Sequence, residues 1–90
     1  MYNVVFYDEA NFDYESIWNY IWQDNLFYAN EVLNKIDKSI DIISEFPYIW
    51  TELDKTHKQI VEPKYKFKVV YKLWENTIYI VSIFREQEKL

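Results

Sequence analysis

The chain has 90 residues, 50% of them hydrophobic and 21% aromatic, and its 15 Asp and Glu outnumber 10 Lys and Arg to leave a formal net charge of −5. That is enough apolar material for one small domain, residues 1–90, to bury a core unaided, and too little length for two domains. Cysteine and glycine are both absent and histidine occurs once, which excludes disulfides, thiolate or multi-histidine metal sites, phosphate loops and dinucleotide fingerprints; no metal and no cofactor is expected.

Hydrophobic periodicity predicts the elements in order. The stretch YNVVFY, residues 2–7, is short, β-branched and aromatic, and reads as a strand closed by Asp8 as the N-cap of a helix. Ala10, Tyr14, Ile17 and Ile21 recur at helical spacing, Trp18 and Trp22 widen that stripe, and QDN at 23–25 offers a turn. A second helix runs from about Phe27 to Glu45 on the stripe Ala29, Val32, Leu33, Ile36, Ile40 and Ile43, and Pro47 stops it. A turn this short makes the two helices an antiparallel hairpin. An irregular stretch follows around YIWTELDKTH, and then the period changes to two.

QIVEP predicts a short strand, with Pro63 at its end or at a bulge. From Lys64 to Trp74, Tyr65, Phe67, Val69, Tyr71 and Leu73 alternate with Lys64, Lys66, Lys68, Val70, Lys72 and Trp74. WENT is the turn before a last strand, Ile78 to Phe84. A two-residue loop at Glu75 and Asn76 pairs Lys72 with Tyr79, Val70 with Val81, Lys68 with Ile83 and Lys66 with Arg85 on one face. It pairs Leu73 with Ile78, Tyr71 with Ile80 and Phe67 with Phe84 on the other. The second face is apolar enough to pack on the helices, so Tyr65, Phe67, Val69 and Tyr71 are expected in the core. The lysine face then looks outward, with its aromatic neighbours Tyr65, Phe67 and Tyr71 pointing away from it, an arrangement unsuited to stacking nucleic-acid bases.

Charge divides along the same line. Residues 1–54 hold eleven acids against Lys35 and Lys38, a net of −9, while residues 55–90 hold eight bases against four acids, a net of +4. Such asymmetry fits two surfaces with different partners, and equally an acidic solvated helical exterior with lysines guarding exposed strands. Asp8, Glu9, Asp13, Asp37 and Asp41 fit helix-start and exposed-face acids better than metal ligands. Trp18, Trp22, Trp50 and Trp74 fit packing better than a dedicated ligand surface. No apolar run is long enough to span a bilayer and the N-terminus lacks a signal peptide's basic region, so a cytoplasmic protein with no membrane partner is expected.

The spacing A..DY..IW.YI from Ala10 to Ile21, then Ala29, then I...I..ISEFP from Ile36 to Pro47, then FKVVY and TIYIVSIF, resembles the RelE/ParE superfamily of bacterial toxins over nearly the whole chain. The resemblance implies an α+β fold of order β-α-α-β-β-β, a helical hairpin packed on a small, mainly antiparallel twisted sheet. It also implies the toxin component of a type II toxin–antitoxin pair, neutralised by a cognate antitoxin protein that wraps it. RelE-like members cut messenger RNA on the ribosome with basic and tyrosine residues, whereas ParE-like members poison DNA gyrase by protein contact.

Lys68 occupies the arginine position of the superfamily's YR.VY strand motif, and Phe67 replaces its tyrosine. Arg85 follows the last strand, but Glu86 stands about where RelE-like enzymes carry an arginine, and their terminal tyrosine has no counterpart. The RelE-like set is therefore incomplete, with Lys68, Arg85 and His57 as the residues available to a nuclease. The low sequence pI of 4.8 also disfavours steering to the ribosome or to free nucleic acid. The expected function is a ParE-like toxin that inhibits growth by binding a replication target such as gyrase, with Lys64, Lys66, Lys68, Lys72 and Arg85 meeting target or antitoxin. A ribosome-dependent endoribonuclease and a non-toxic interaction protein retaining the fold are the alternatives.

Overall fold

A computed structural model of the protein describes residues 2–23 and 25–85, without the side chain of Trp22. Strand β1 (Asn3–Phe6) leads into helix α1 (Asp8–Trp22), helix α2 (Leu26–Glu45) and then strands β2 (Thr51–Glu52), β3 (His57–Val61), β4 (Lys68–Trp74) and β5 (Thr77–Phe84). The strands form one sheet of order β1-β5-β4-β3-β2, in which β1 runs parallel to β5 and every other pair is antiparallel. This is the expected α+β architecture, enlarged by β2, whose two residues pair with β3 inside the stretch read as irregular. The expectations placed on the Trp22 side chain, on the middle of the 23–25 turn and on the segment from Glu86 onward lie outside the described residues.

Both helices cover one face of the sheet, α1 over β5 and α2 over β3 and β4. The helical stripes meet the inward residues of the strands in a single core. Ala29, Val32, Ile36 and Ile43 are wholly inaccessible, as are Val69, Tyr71, Ile78 and Ile80, and each large side chain so buried contributes about 1.5–3 kcal/mol. Asp8 is not the cap of α1 but its first residue: Tyr7 holds the N-cap position without a side-chain bond. Asp8 and Glu9 instead stabilise the first turn through the helix dipole. Helix α2 starts one residue earlier than expected because Asn25 caps it, accepting the N–H of Tyr28 at 3.1 Å. Where α2 ends, Phe46 departs from helical geometry, and the Tyr71 hydroxyl donates to the carbonyl of Pro47 at 2.6 Å. The chain leaving the helix is thereby tied to the centre of the sheet.

Two sequence expectations for the sheet are corrected. The strand from Lys64 to Trp74 begins only at Lys68, because residues 62–67 form the β3–β4 connection. Glu62, 1% exposed, accepts the backbone N–H groups of Lys64 and Tyr65, and Lys66 takes a left-handed φ of 67°. Pairing between Glu62 and residues 66 and 67 closes the loop. A carboxylate that satisfies two amides from below is an alternative to ladder bonding that an alternating pattern does not reveal.

The β4–β5 register is the other correction. Leu73–Ile78, Lys72–Tyr79 and Tyr71–Ile80 pair as expected, but an irregularity between Val70 and Tyr71 then shifts β5 by one residue. Val70 faces Ser82, Val69 faces Ile83 and Lys68 faces Phe84, in place of the expected Val81, Ser82 and Ile83. Lys66 lies outside the strand and has no pairing with Arg85. The shift lets Ile83, 2% exposed, turn inward three residues after Ile80. Pairing of β5 with β1 ends at Phe6–Ile80, and beyond it the N–H of Ile83 is taken by Asp13 of α1 at 3.0 Å.

Replacing Tyr71 with Phe preserves the ring volume but leaves the Pro47 carbonyl without its buried donor. Tyr71→Phe is expected to lower unfolding free energy in urea by about 1–3 kcal/mol, with the fold retained.

Candidate functional site

The lysines expected in one row occupy three environments. Lys64 turns toward the helices, where its ammonium and the Tyr65 hydroxyl both engage the carboxylate of Glu31 on α2. Lys64 holds the Glu31 carboxyl below the usual carboxylate range, assisted by Tyr65. In return Glu31 raises both the Lys64 ammonium and the Tyr65 phenol. Tyr65, expected in the core, is therefore only half-buried, with its ring edge-on to Tyr28. Lys66 is exposed in the loop. Lys68 and Lys72 are the two that share the outer sheet face.

Four aromatic rings join them there. Lys68 stands 5.9 Å from the ring centroid of Phe84 and Lys72 stands 5.0 Å from that of Tyr7, whose ring packs on Tyr79 at 5.6 Å. Trp74 completes the face and is 68% exposed. The expected separation of aromatic residues from lysines thus holds for Phe67 and Tyr71, but the outer face carries its own aromatic set, contributed mainly by β5 and the end of β1. Arg85 lies elsewhere, 4.8 Å from the ring of buried Phe67.

His57 opens β3 directly opposite Lys72. It is set by a tight turn in which one oxygen of Asp54 accepts the N–H groups of Thr56 and His57, each at 2.8 Å. The same oxygen accepts the Thr56 hydroxyl at 3.0 Å and lies 3.1 Å from Nδ1 of His57. Those donors, the Thr56 amide foremost, hold the Asp54 carboxyl well below the usual range. With the Thr56 hydroxyl donating to Asp54, its oxygen accepts from His57 Nδ1–H at 2.9 Å, a tautomer that leaves the Nε2 lone pair outward. Hydrophobic periodicity assigns no role to Asp54 and Thr56, although an Asp followed by Thr two residues later is the signature of an Asx turn.

His57, Lys72, Tyr7, Tyr79 and Trp74 line a groove of about 690 Å³. Of the residues available to a nuclease, the fold does not bring Lys68, Arg85 and His57 together. His57 faces Lys72, four positions along β4 from Lys68, a separation of about 13 Å at 3.3 Å per residue.

A family model described as the ParE toxin of the type II toxin–antitoxin system parDE matches residues 4–90. No curated protein matches the chain. Among solved structures, the chromosomal ParDE toxin–antitoxin system of P. aeruginosa superposes with a TM-score of 0.81 at 13% identity, covering 97% of this chain and 98% of its counterpart. The intact RelBE toxin–antitoxin complex of E. coli gives 0.74 at 14% identity over 98% and 100% of the two chains. The isolated E. coli RelE toxin gives 0.75 at 14% identity over 99% and 88%. At these identities the structural likeness establishes the fold.

Because Glu31 is what raises the Tyr65 phenol, Glu31→Gln is expected to bring the Tyr65 titration back down toward that of an ordinary tyrosine. NMR-detected pH titration of the Tyr65 ring reads this directly; an unchanged midpoint would show that the pair is not formed in solution.

Proposed function

The chain belongs to the ParE toxin family of type II toxin–antitoxin systems, and from that premise we propose that it arrests growth by binding a replication enzyme such as DNA gyrase, and that a cognate antitoxin neutralises it. Such a target lies in the cytoplasm, where we place the protein. The observation that carries the reading is the failure of Lys68, Arg85 and His57 to converge. Hydrolysis of a phosphodiester needs base, acid and stabilising cation within hydrogen-bond reach of one bond, about 2.6–3.2 Å. Two of those residues lie on the outer face about 13 Å apart along the strand direction, and Arg85 packs over Phe67. The net charge of −5 is a further obstacle to binding a polyanion and none to binding a protein.

Expression without an antitoxin should stop growth, and the purified protein should inhibit gyrase supercoiling while leaving ribosome-bound messenger RNA intact. RNA cleavage that is lost in Lys68→Ala or Arg85→Ala would instead establish a ribonuclease. Growth without inhibition of either process would point to an interaction protein that retains the fold.

For the antitoxin, the accessible positive charge of the loop and outer face favours an acidic docking segment. Lys64 is engaged by Glu31; Lys66 in the loop and Lys68 on the outer face are the positions to test. Rim charges govern association rate more than final affinity, and salt screens them. The double variant Lys66→Glu with Lys68→Glu is expected to slow antitoxin association about ten-fold or more at low salt, with dissociation and thermal stability little changed. Equal association rates for variant and wild type across salt concentrations would reduce the lysines to edge protection.

A further inference from the structure

His57, Lys72 and Tyr79 are successive register partners on β3, β4 and β5, so they form one row across the outer face. Cross-strand neighbours hold their Cβ atoms about 4.5–5.5 Å apart, which sets imidazole, ammonium and phenol side by side. Tyr7 extends the row through its contacts with Tyr79 and Lys72. Trp74 lies two residues beyond Lys72 on the same face of β4, about 7 Å along the strand. The groove they line, about 690 Å³, falls within the size class of small-molecule sites.

Three of the charged groups around this groove are already engaged. Lys58 holds Glu52 at 3.4 Å, and Asp54 is occupied by the donors of its own turn. Among the described residues Lys72 has no carboxylate within ion-pair distance, and its contact with the Tyr7 ring leaves its N–H donors available. The Asp54–Thr56 turn engages Nδ1 of His57 and leaves Nε2 for a ligand. The groove therefore offers an ammonium, an oriented imidazole lone pair and an exposed indole face. A ligand matching all three is anionic at one end, flat and aromatic at the other, with a hydroxyl-bearing spacer that covers the distance between Lys72 and Trp74.

We propose that this groove is a nucleotide-binding site, with the phosphate held by Lys72 Nζ, a ribose hydroxyl donating to His57 Nε2 and the base stacked on Trp74. Ribose between phosphate and base supplies the spacer. Asp54 is a positioning residue, acting through the His57 ring. The net charge of the chain opposes a long strand with a phosphate at every step, whereas a single phosphate experiences chiefly its local cations. A free mononucleotide and one nucleotide of a single strand present the same chemistry to the groove, and the experiment separates them. The inference rests on the groove alone and is independent of the proposed gyrase target.

Titration of the isotopically labelled full chain with adenosine 5′-monophosphate should give saturable NMR shifts at His57, Lys72, Trp74 and Tyr79. Adenosine and inorganic phosphate should each bind more weakly than the nucleotide. Lys72→Met should weaken binding about ten-fold, through loss of a charge-assisted bond. Trp74→Ala should weaken it about five-fold or more, through loss of stacking. Both residues are off the core, so unchanged melting temperatures confirm that the variants are folded. Asp54→Asn should weaken binding of both nucleotide and adenosine while leaving inorganic phosphate binding unchanged, a split that loosening of the loop alone would not produce. A short single-stranded oligonucleotide that binds no tighter than the mononucleotide assigns the free ligand, and one that binds far tighter through the same residues assigns the strand. Absence of shifts with both ligands, or binding indifferent to Lys72→Met, overturns the proposal.

Discussion

The pairing of β4 with β5 is the constraint on which the rest of the molecule depends. These strands occupy the centre of the sheet, and their register decides which side chains the helices cover. With Leu73 opposite Ile78, the inward set is Val69, Tyr71 and Leu73 against Ile78, Ile80 and Ile83; a slip of one residue would send lysines under α1 and α2. The turn that holds this register has no glycine, so Glu75 accepts a φ of 55°, at a cost of about 1–2 kcal/mol relative to a right-handed residue. The hairpin keeps that geometry because the buried pairs on either side of it outweigh the local strain.

The one-residue shift within β5 links core to surface. Up to Ile80 the strand serves two neighbours, β1 and β4; after it, β1 has ended and α1 lies alongside. Strict alternation would have carried Ile83 to the outer face and Ser82 to the inner one. The shift reverses both, and Asp13 supplies the acceptor that a neighbouring strand no longer provides to the Ile83 N–H. It also brings Phe84 beside Lys68 on the outside. The place of Phe84 on that face is thus a consequence of how the core closes at the far end of β5.

Most of the fold was legible in the sequence because it rests on long periodic stretches. The α2 stripe from Ala29 to Ile43 is buried as its spacing predicts, and Phe67, Val69 and Tyr71 lie in the core. The departures occur where a side chain replaces a ladder or helical bond. Glu62 satisfies the amides of Lys64 and Tyr65, so an alternating stretch becomes a loop; Pro63 and the preceding acid were the available signals. The β5 shift was written in the spacing of Ile78, Ile80 and Ile83, two residues and then three. The His57 setting was less accessible, since no periodicity brings β3 beside β4, and only the register places His57 against Lys72. A row of lysines read from one strand had to fail for a similar reason: Glu31, thirty-three residues before Lys64, is brought to it by tertiary packing alone.

Charge segregation survives those corrections in a different form. Six exposed acids, Asp8, Glu9, Glu15, Asp37, Asp41 and Glu45, lie on the helices, while Lys66, Lys68 and Lys72 lie on the loop and outer sheet face, with the exposed acids Glu52, Asp54 and Glu75 confined to β2 and the turns. The molecule measures 22 Å along its shortest axis, more than twice the Debye length of about 8 Å at physiological ionic strength. Exposed charges on opposite sides are therefore largely screened from one another through solvent. A short segment approaching the sheet experiences its local lysines more than the net charge of −5, and one approaching the helices meets acid. Near-neutral electrostatics at one surface and strong repulsion of anions at another can thus coexist in 90 residues, and an acidic protein segment is sorted toward the sheet before any apolar contact forms. Association rate and orientation then follow from the division of charge between two layers, while affinity is left to the aromatic rings that stand among the lysines.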